Sequence, residues 1–388
     1  MPTDWGLIER VRNSLAAEAG APTPARVAAA LRSEGVVLGD TAVLEVSGLM
    51  QSEFTGAGPL EVLLRTPGVT DVLVNGPDEI WMDQGAGLER SSVRIGDETA
   101  VRRLAQRLAA SAGRRLDDAI PFVDARLPGG VRLHAVLPPV SPAGTLICLR
   151  IAAATHFGID DLVTAGSVPD SVVPVLVALV RSKAAFLVTG GTGSGKTTVL
   201  GALLGTADPC ERVVLVEDSS ELQPALPHVV RLEARVPNVE GAGRVGLDDL
   251  VRQALRMRPD RLVVGEVRGA EMVDLLAALN TGHDGGCGTL HANSATDVPA
   301  RLEALGVAAG LPRAAVHAQA IAALDAVVHL VRDQSGRRRI ASIDLLSRSA
   351  GGELVTVPGL GIGADVQIRR GPGAAALDAL VPEVGGET

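Results

Sequence analysis

At about 150 residues per domain, a chain of 388 residues holds two to three domains. Its composition, 46% hydrophobic and 21% charged, excludes disordered, collagen-like and disulfide-scaffold classes. A net charge of −9 argues against nucleic-acid binding over the whole surface, so no direct nucleic-acid partner is expected.

From the N-terminus, Met1, Asp4, Trp5 and Glu9 do not give the basic-then-apolar order of a signal peptide. Leu7, Ile8, Val11 and Leu15 fall at helical spacing, so a helical segment is expected over 1–52. It is broken at Gly20-Ala21-Pro22-Thr23-Pro24, with Pro24 suited to the first position of the next helix. A smaller α+β domain is expected over 53–152. Its strands are read at 69–74 and 80–82 around the turn Asn75-Gly76-Pro77, and at 131–137 and 145–151. Between them an amphipathic helix over 98–112 runs through Val101, Leu104, Ala105 and Leu108. A linker at 153–166 follows, with Gly158 and Gly166 marking a hinge candidate over 152–166.

Beyond it the pattern becomes apolar strand, Gly-rich or acidic turn, then helix. Strands are expected at 186–189, 213–217, 229–232, 262–264 and 288–291, and helices between most of them imply a mainly parallel sheet. Helices rich in Ala and Leu follow residue 295, then a hairpin of 327–331 and 340–345 across Ser335-Gly336. This second domain is expected over 167–370, with the Gly-, Pro- and Ala-rich 371–388 as a flexible tail. The longest apolar stretches, 172–180 and 184–188, fall short of the ~20 residues of a membrane span. Cys148, Cys210 and Cys287 make no C-x-x-C pair, which argues against a zinc site and suits a reducing cytoplasm.

The run Gly190, Gly191, Thr192, Gly193, Ser194, Gly195, Lys196, Thr197, Thr198 fits G-x-x-x-x-G-K-[ST]. It follows an apolar strand and opens a helix, the context in which this pattern binds phosphate. Glycines let successive backbone N–H groups converge on phosphate oxygens, and the helix N-terminus adds its dipole. Of the 36 basic residues only Lys183 and Lys196 are lysines. Lys196 stands where a compact point charge reaches between phosphates better than arginine's planar fork. Thr197 is placed to coordinate Mg2+, so ATP and Mg2+ are the expected ligands. The alternative is a Gly-rich turn with an incidental lysine.

Three further segments cluster with this one by position in the pattern. Asp260-Arg261-Leu262-Val263-Val264-Gly265-Glu266 reads as a buried strand ending in a carboxylate that points at the metal shell, beyond the carboxyl end of the sheet. The strand at 213–217 ends in acids. Hydrolysis needs a carboxylate to orient water, and Glu217 is the first candidate and Glu221 the second; a solvated helix start at Ser219 or Ser220 is the alternative. His283 and His291 bracket a Gly-rich stretch without a third ligand, which disfavours a metal site and leaves His291, at a strand end, as a phosphate contact or relay.

Together these segments resemble the Walker A loop, the Asp box (217–221), the Walker B (Gly265-Glu266) and the His box (283–291) of the type II/IV secretion motor ATPases. Leu255-Arg256-Met257-Arg258-Pro259-Asp260, Thr281-Gly282-His283-Asp284-Gly285, Gly58-Pro59-Leu60 and 71–77 are particularly similar to the CpaF-like tight-adherence (Flp, type IVc) pilus branch. The resemblance covers about 55–350. It implies a RecA-like P-loop ATPase core behind the α+β N-terminal domain, acting as a homo-hexamer at the inner face of the cell membrane. There it powers pilus assembly or retraction, or secretion of pilus subunits, through inner-membrane platform proteins. It further implies sensing arginines in the N-terminal domain, and Arg132 and Arg150 match them best, Arg126 less well. The family's tetracysteine zinc site is missing, and 285–289 is richer in glycine than the family's usual loop. A type IV secretion or conjugation ATPase, or a weakly hydrolysing regulatory protein, is the alternative.

Overall fold

The computed structural model describes residues 56–382 apart from 86, 128, 152–156, 236, 238–241 and 334–335, and before residue 56 only 10–11, 14–15, 23–36, 39, 43 and 46. The chain divides into two compact units, Met1–Ala154 and Thr155–Thr388. Leu7, Ile8, Ser335 and most of the hinge candidate's first half lie outside the described residues.

In the first unit, helix α1 (Pro24–Ser33) has Pro24 in its first turn and buries Val27, Ala30 and Leu31 with Val11 and Leu15. The short helix α2 (Glu61–Leu64) precedes β1 (Asp71–Gly76), β2 (Glu79–Asp83) and β3 (Leu88–Arg90). Then come α3 (Glu98–Ser111), β4 (Phe122–Arg126), β5 (Arg132–Val136) and β6 (Leu146–Arg150). The six strands make an antiparallel sheet in the order β3-β2-β1-β6-β5-β4. The Asp97 carboxylate accepts the Ala100 N–H at 2.8 Å and so fixes the start of α3. Strand alternation puts Val72, Leu149, Leu133 and Ala125 in one buried layer with Val101, Leu104 and Leu108 of α3. The alternate residues form the opposite, polar face.

The second unit runs α4 (Ile159–Thr164), α5 (Val173–Arg181), β7 (Phe186–Gly190), α6 (Lys196–Leu204), β8 (Val213–Glu217) and β9 (Val229–Glu233). It continues with α7 (Leu247–Ala254), β10 (Arg261–Val267), α8 (Glu271–Leu279) and β11 (Cys287–His291). Last come α9 (Val298–Ala308), α10 (Arg313–Ala323), β12 (Ala326–Arg332), β13 (Arg338–Arg348), β14 (Leu354–Ile362), β15 (Ile368–Arg370) and α11 (Ala374–Leu380). The nine-stranded sheet has the order β15-β14-β13-β12-β7-β11-β10-β8-β9. Strands from β12 through β9 are parallel to their neighbours, while β13, β14 and β15 add antiparallel partners.

All of β7 and β8 is buried, as expected of strands covered on both faces. Val188, Val328 and Ile343 pack with α5 and α6 on one side. Leu187, Val214, Leu262 and Val327 pack with α7 to α10 on the other. The C-terminal stretch read as a flexible tail is ordered where its side chains find the core: α11 forms over Ala374–Leu380, and Leu377 and Val381 are buried. Alanine costs a helix little, so one apolar stripe is enough to hold it.

Candidate functional site

The loop after β7 is set by its backbone. Gly190 has φ 151°, and a Cβ there would stand 2.5 Å from the Leu330 carbonyl oxygen and 2.6 Å from Ser194 Oγ, so only glycine lets the strand turn against β12. The turn delivers Lys196 to the first turn of α6, with Thr197 half-buried beside it. Lys196 Nζ donates to the carbonyls of Gly190 at 3.0 Å and Gly191 at 2.8 Å. Burial lowers the proton affinity of this ammonium, and the Glu266 carboxylate raises it.

Glu266 reaches the same place through an irregularity in β10. Val264 pairs with Gly288, but Val267 pairs with Leu290, so Gly265-Glu266 carries one extra residue against β11. Thr289 Oγ1 donates to the Gly265 carbonyl at 2.6 Å and locks this bulge. The glycine-rich run before it has a packing reason: a Cβ at Gly288 would stand 2.7 Å from the Val264 carbonyl oxygen.

His291, at the end of β11, places Nε2 3.1 Å from Glu266 Oε1 and 3.5 Å from Lys196 Nζ. Burial, followed by the Lys196 charge, holds this imidazole below its ordinary range, against the opposing pull of Glu266. Arg268 pairs with Asp218 and stands 3.8 Å from Glu266. Burial works against its charge, and the Asp218 hydrogen bond and nearby carboxylates outweigh it.

Glu217, the first candidate for orienting water, turns away from solvent. It is 3% exposed and turned inward: Oε1 accepts the N–H groups of Glu221 at 3.0 Å and Leu222 at 2.9 Å, while Oε2 is buried without a hydrogen-bond partner. Its carboxyl is pushed up to about 7, chiefly by burial. A carboxylate spent on shaping the turn is poorly placed to orient solvent water, whereas Glu221 is exposed on that same turn. His283 is structural: its Nδ1 lies 3.3 Å from the Ala278 carbonyl oxygen, at the end of α8.

In the first unit the sheet register aligns Arg126, Arg132 and Arg150 as cross-strand neighbours, continued by Asp71 on β1, on the polar face. Arg132 makes a fork to Asp124 at 2.7 and 3.1 Å, and Arg150 donates to Asp71 at 2.9 Å.

Sequence reasoning missed Arg332 and Arg338, which face each other across the β12–β13 hairpin. Their side chains lie about van der Waals distance from where Cβ atoms at Gly193 and Gly195 would stand, at 3.5 and 3.6 Å. The signal available was their position beyond the strand that borders the phosphate loop, in a chain whose many arginines hide any single one.

A family model described as type II/IV secretion system protein matches residues 53–354. A putative conjugal transfer protein of Mycobacterium tuberculosis (strain CDC 1551 / Oshkosh) is 56% identical over 321 residues, 81% of this chain and 91% of the relative. The type IV secretion system protein PtlH of Bordetella pertussis is 32% identical over 309 residues, 72% and 91% of the two chains. Among solved structures, the pilus retraction motor PilT with bound ADP aligns with a TM-score of 0.52 at 20% identity, over 84% of this chain and 86% of that one, a likeness of fold.

Proposed function

The chain belongs to the type II/IV secretion system protein family and is an ATPase of that family's α/β fold, and from this premise we propose that Mg2+-dependent ATP hydrolysis powers assembly of a tight-adherence pilus. The observation that carries the hydrolytic reading is the convergence of Lys196, Glu266 and His291 at the carboxyl ends of β7, β10 and β11. Backbone N–H groups of 191–196 cradle the phosphates, and Lys196 neutralises them. Glu221 orients the attacking water, while Glu217 builds the turn that presents it. Arg132 and Arg150 of the first unit are the arginines proposed to sense nucleotide, each ion-paired within its own sheet.

Bound Mg2+ supplies charge neutralisation on the phosphate oxygens. Thr197 and Glu266 are the residues that would hold it. Among the described residues no group of three or more His, Cys, Asp or Glu is gathered for a metal. Among the described residues no helix is long and apolar enough to cross a membrane. Platform proteins at the inner face of the membrane are the proposed partners. A homo-hexamer is the proposed working assembly.

A second reading, a motor for conjugal or type IV secretion, is favoured by the relatives, a putative conjugal transfer protein and a type IV secretion system protein. Sizing the full chain with and without Mg2+-ATP tests the ring, with a hexamer expected and a monomer under both conditions against it. Replacing the chromosomal copy by Lys196→Ala separates the two cargoes. Loss of surface pili with conjugal transfer intact supports the pilus reading, and the reverse supports the second. Neither defect would overturn the motor.

A further inference from the structure

Strand β12 carries a histidine between the aliphatic residues Val328 and Leu330. His329 is 5% exposed and pairs in register with Thr189, the residue immediately before the phosphate loop. Thr189, fully buried, places Oγ1 2.9 Å from His329 Nδ1.

One imidazole thus ties β12 to the end of β7, where β7 becomes the phosphate loop. Burying an imidazole and a hydroxyl in an apolar layer is unfavourable unless both are hydrogen-bonded. A Val–Val pair would fill this layer without that requirement. What the polar pair adds is a directional tether between β12 and the strand that leads into the phosphate loop and Lys196.

We propose that His329 is a positioning residue for ATP hydrolysis, holding the phosphate loop in register through Thr189. It touches neither Lys196 nor Glu266 and acts through the backbone that leads to Lys196. The inference rests on the reading that Lys196, Glu266 and His291 face the nucleotide.

The test compares full-length wild type with Thr189→Val, His329→Leu, His329→Gln and the Thr189→Val/His329→Leu double variant. Steady-state turnover is measured alongside affinity for a fluorescent ADP. Misplacing reacting groups by about 1 Å costs on the order of 100-fold, so Thr189→Val and His329→Leu are each expected to lower kcat roughly 10- to 100-fold. Their ADP affinity should stay within about threefold of wild type, because the loop's N–H groups remain. Gln offers an acceptor and a donor and is expected to restore most of kcat. The double variant should be no slower than the slower single, because both changes break one tether.

Wild-type kcat in Thr189→Val, which keeps the volume and avoids the folding risk of His329→Leu, overturns the proposal. So does full additivity in the double variant, or no recovery with Gln in a protein that melts normally. Wild-type turnover that is insensitive to Lys196→Ala would instead overturn the hydrolytic reading, and this inference with it.

Discussion

The buried carboxyl of Glu217 makes a prediction that separates its structural role from a catalytic one. In the unfolded chain this group titrates near its ordinary 4.5. In the folded chain burial, assisted by the Glu221 charge, raises it to about 7 against the opposing N–H bonds from Leu222 and Glu221. Between those two pH values the folded state keeps a proton the unfolded state has lost, so stability is fully present below pH 4.5 and falls as the pH rises through 7. By pH 8 the loss is about 3 kcal/mol. For a unit of this size that corresponds to roughly 6–12 °C in Tm.

Glu217→Gln keeps an oxygen to accept the two N–H groups and removes the ionisation. The variant is expected to match or fall slightly below wild type at pH 5 and to melt several degrees higher at pH 8. Calorimetry of both proteins at the two pH values reads this directly, because every other titrating group is shared and cancels in the difference. Identical pH slopes for wild type and Glu217→Gln would refute the burial argument.

Glu221→Gln is expected to lower kcat by about 100-fold or more with ADP affinity retained, as removal of a group that orients water does; unchanged turnover would return the role to another carboxylate. Gly265→Ala should destabilise by about 1–3 kcal/mol, because the new Cβ would stand 2.6 Å from Glu217 Cγ, and a melting curve superposable on wild type would count against that packing. Leu377→Ala should cost about 2–5 kcal/mol if α11 belongs to the core, whereas a truly frayed tail would tolerate it without change in Tm.

The phosphate loop, its strand and its helix were legible because glycine, lysine and threonine occupy positions that phosphate geometry dictates, and the apolar run before them can only be a buried strand. The parallel core followed from apolar runs between helices. Strand β14 was not legible, since Pro358, Gly359 and Gly361 break its apolar pattern. In the structure Gly359 instead allows close approach to the Ile343 carbonyl and to Leu377. Helix α11 was hidden by a composition rich in glycine and alanine.

At the site, the sequence ranked Glu217 ahead of Glu221 among the acids that follow the strand at 213–217. Which of them turns inward depends on the space over Gly265, a contact between separate strands that no local pattern encodes. The same holds for His329: its apolar neighbours mark a core histidine, and only the sheet register brings Thr189 to it.

Steady-state turnover of Mg2+-ATP by the purified chain, beside Lys196→Ala, tests the central claim most directly. The account predicts measurable hydrolysis by the wild type and its loss in the variant, which removes the one ammonium held by the Gly190 and Gly191 carbonyls. Equal turnover by both proteins, or tight nucleotide binding without turnover by wild-type rings, would contradict it.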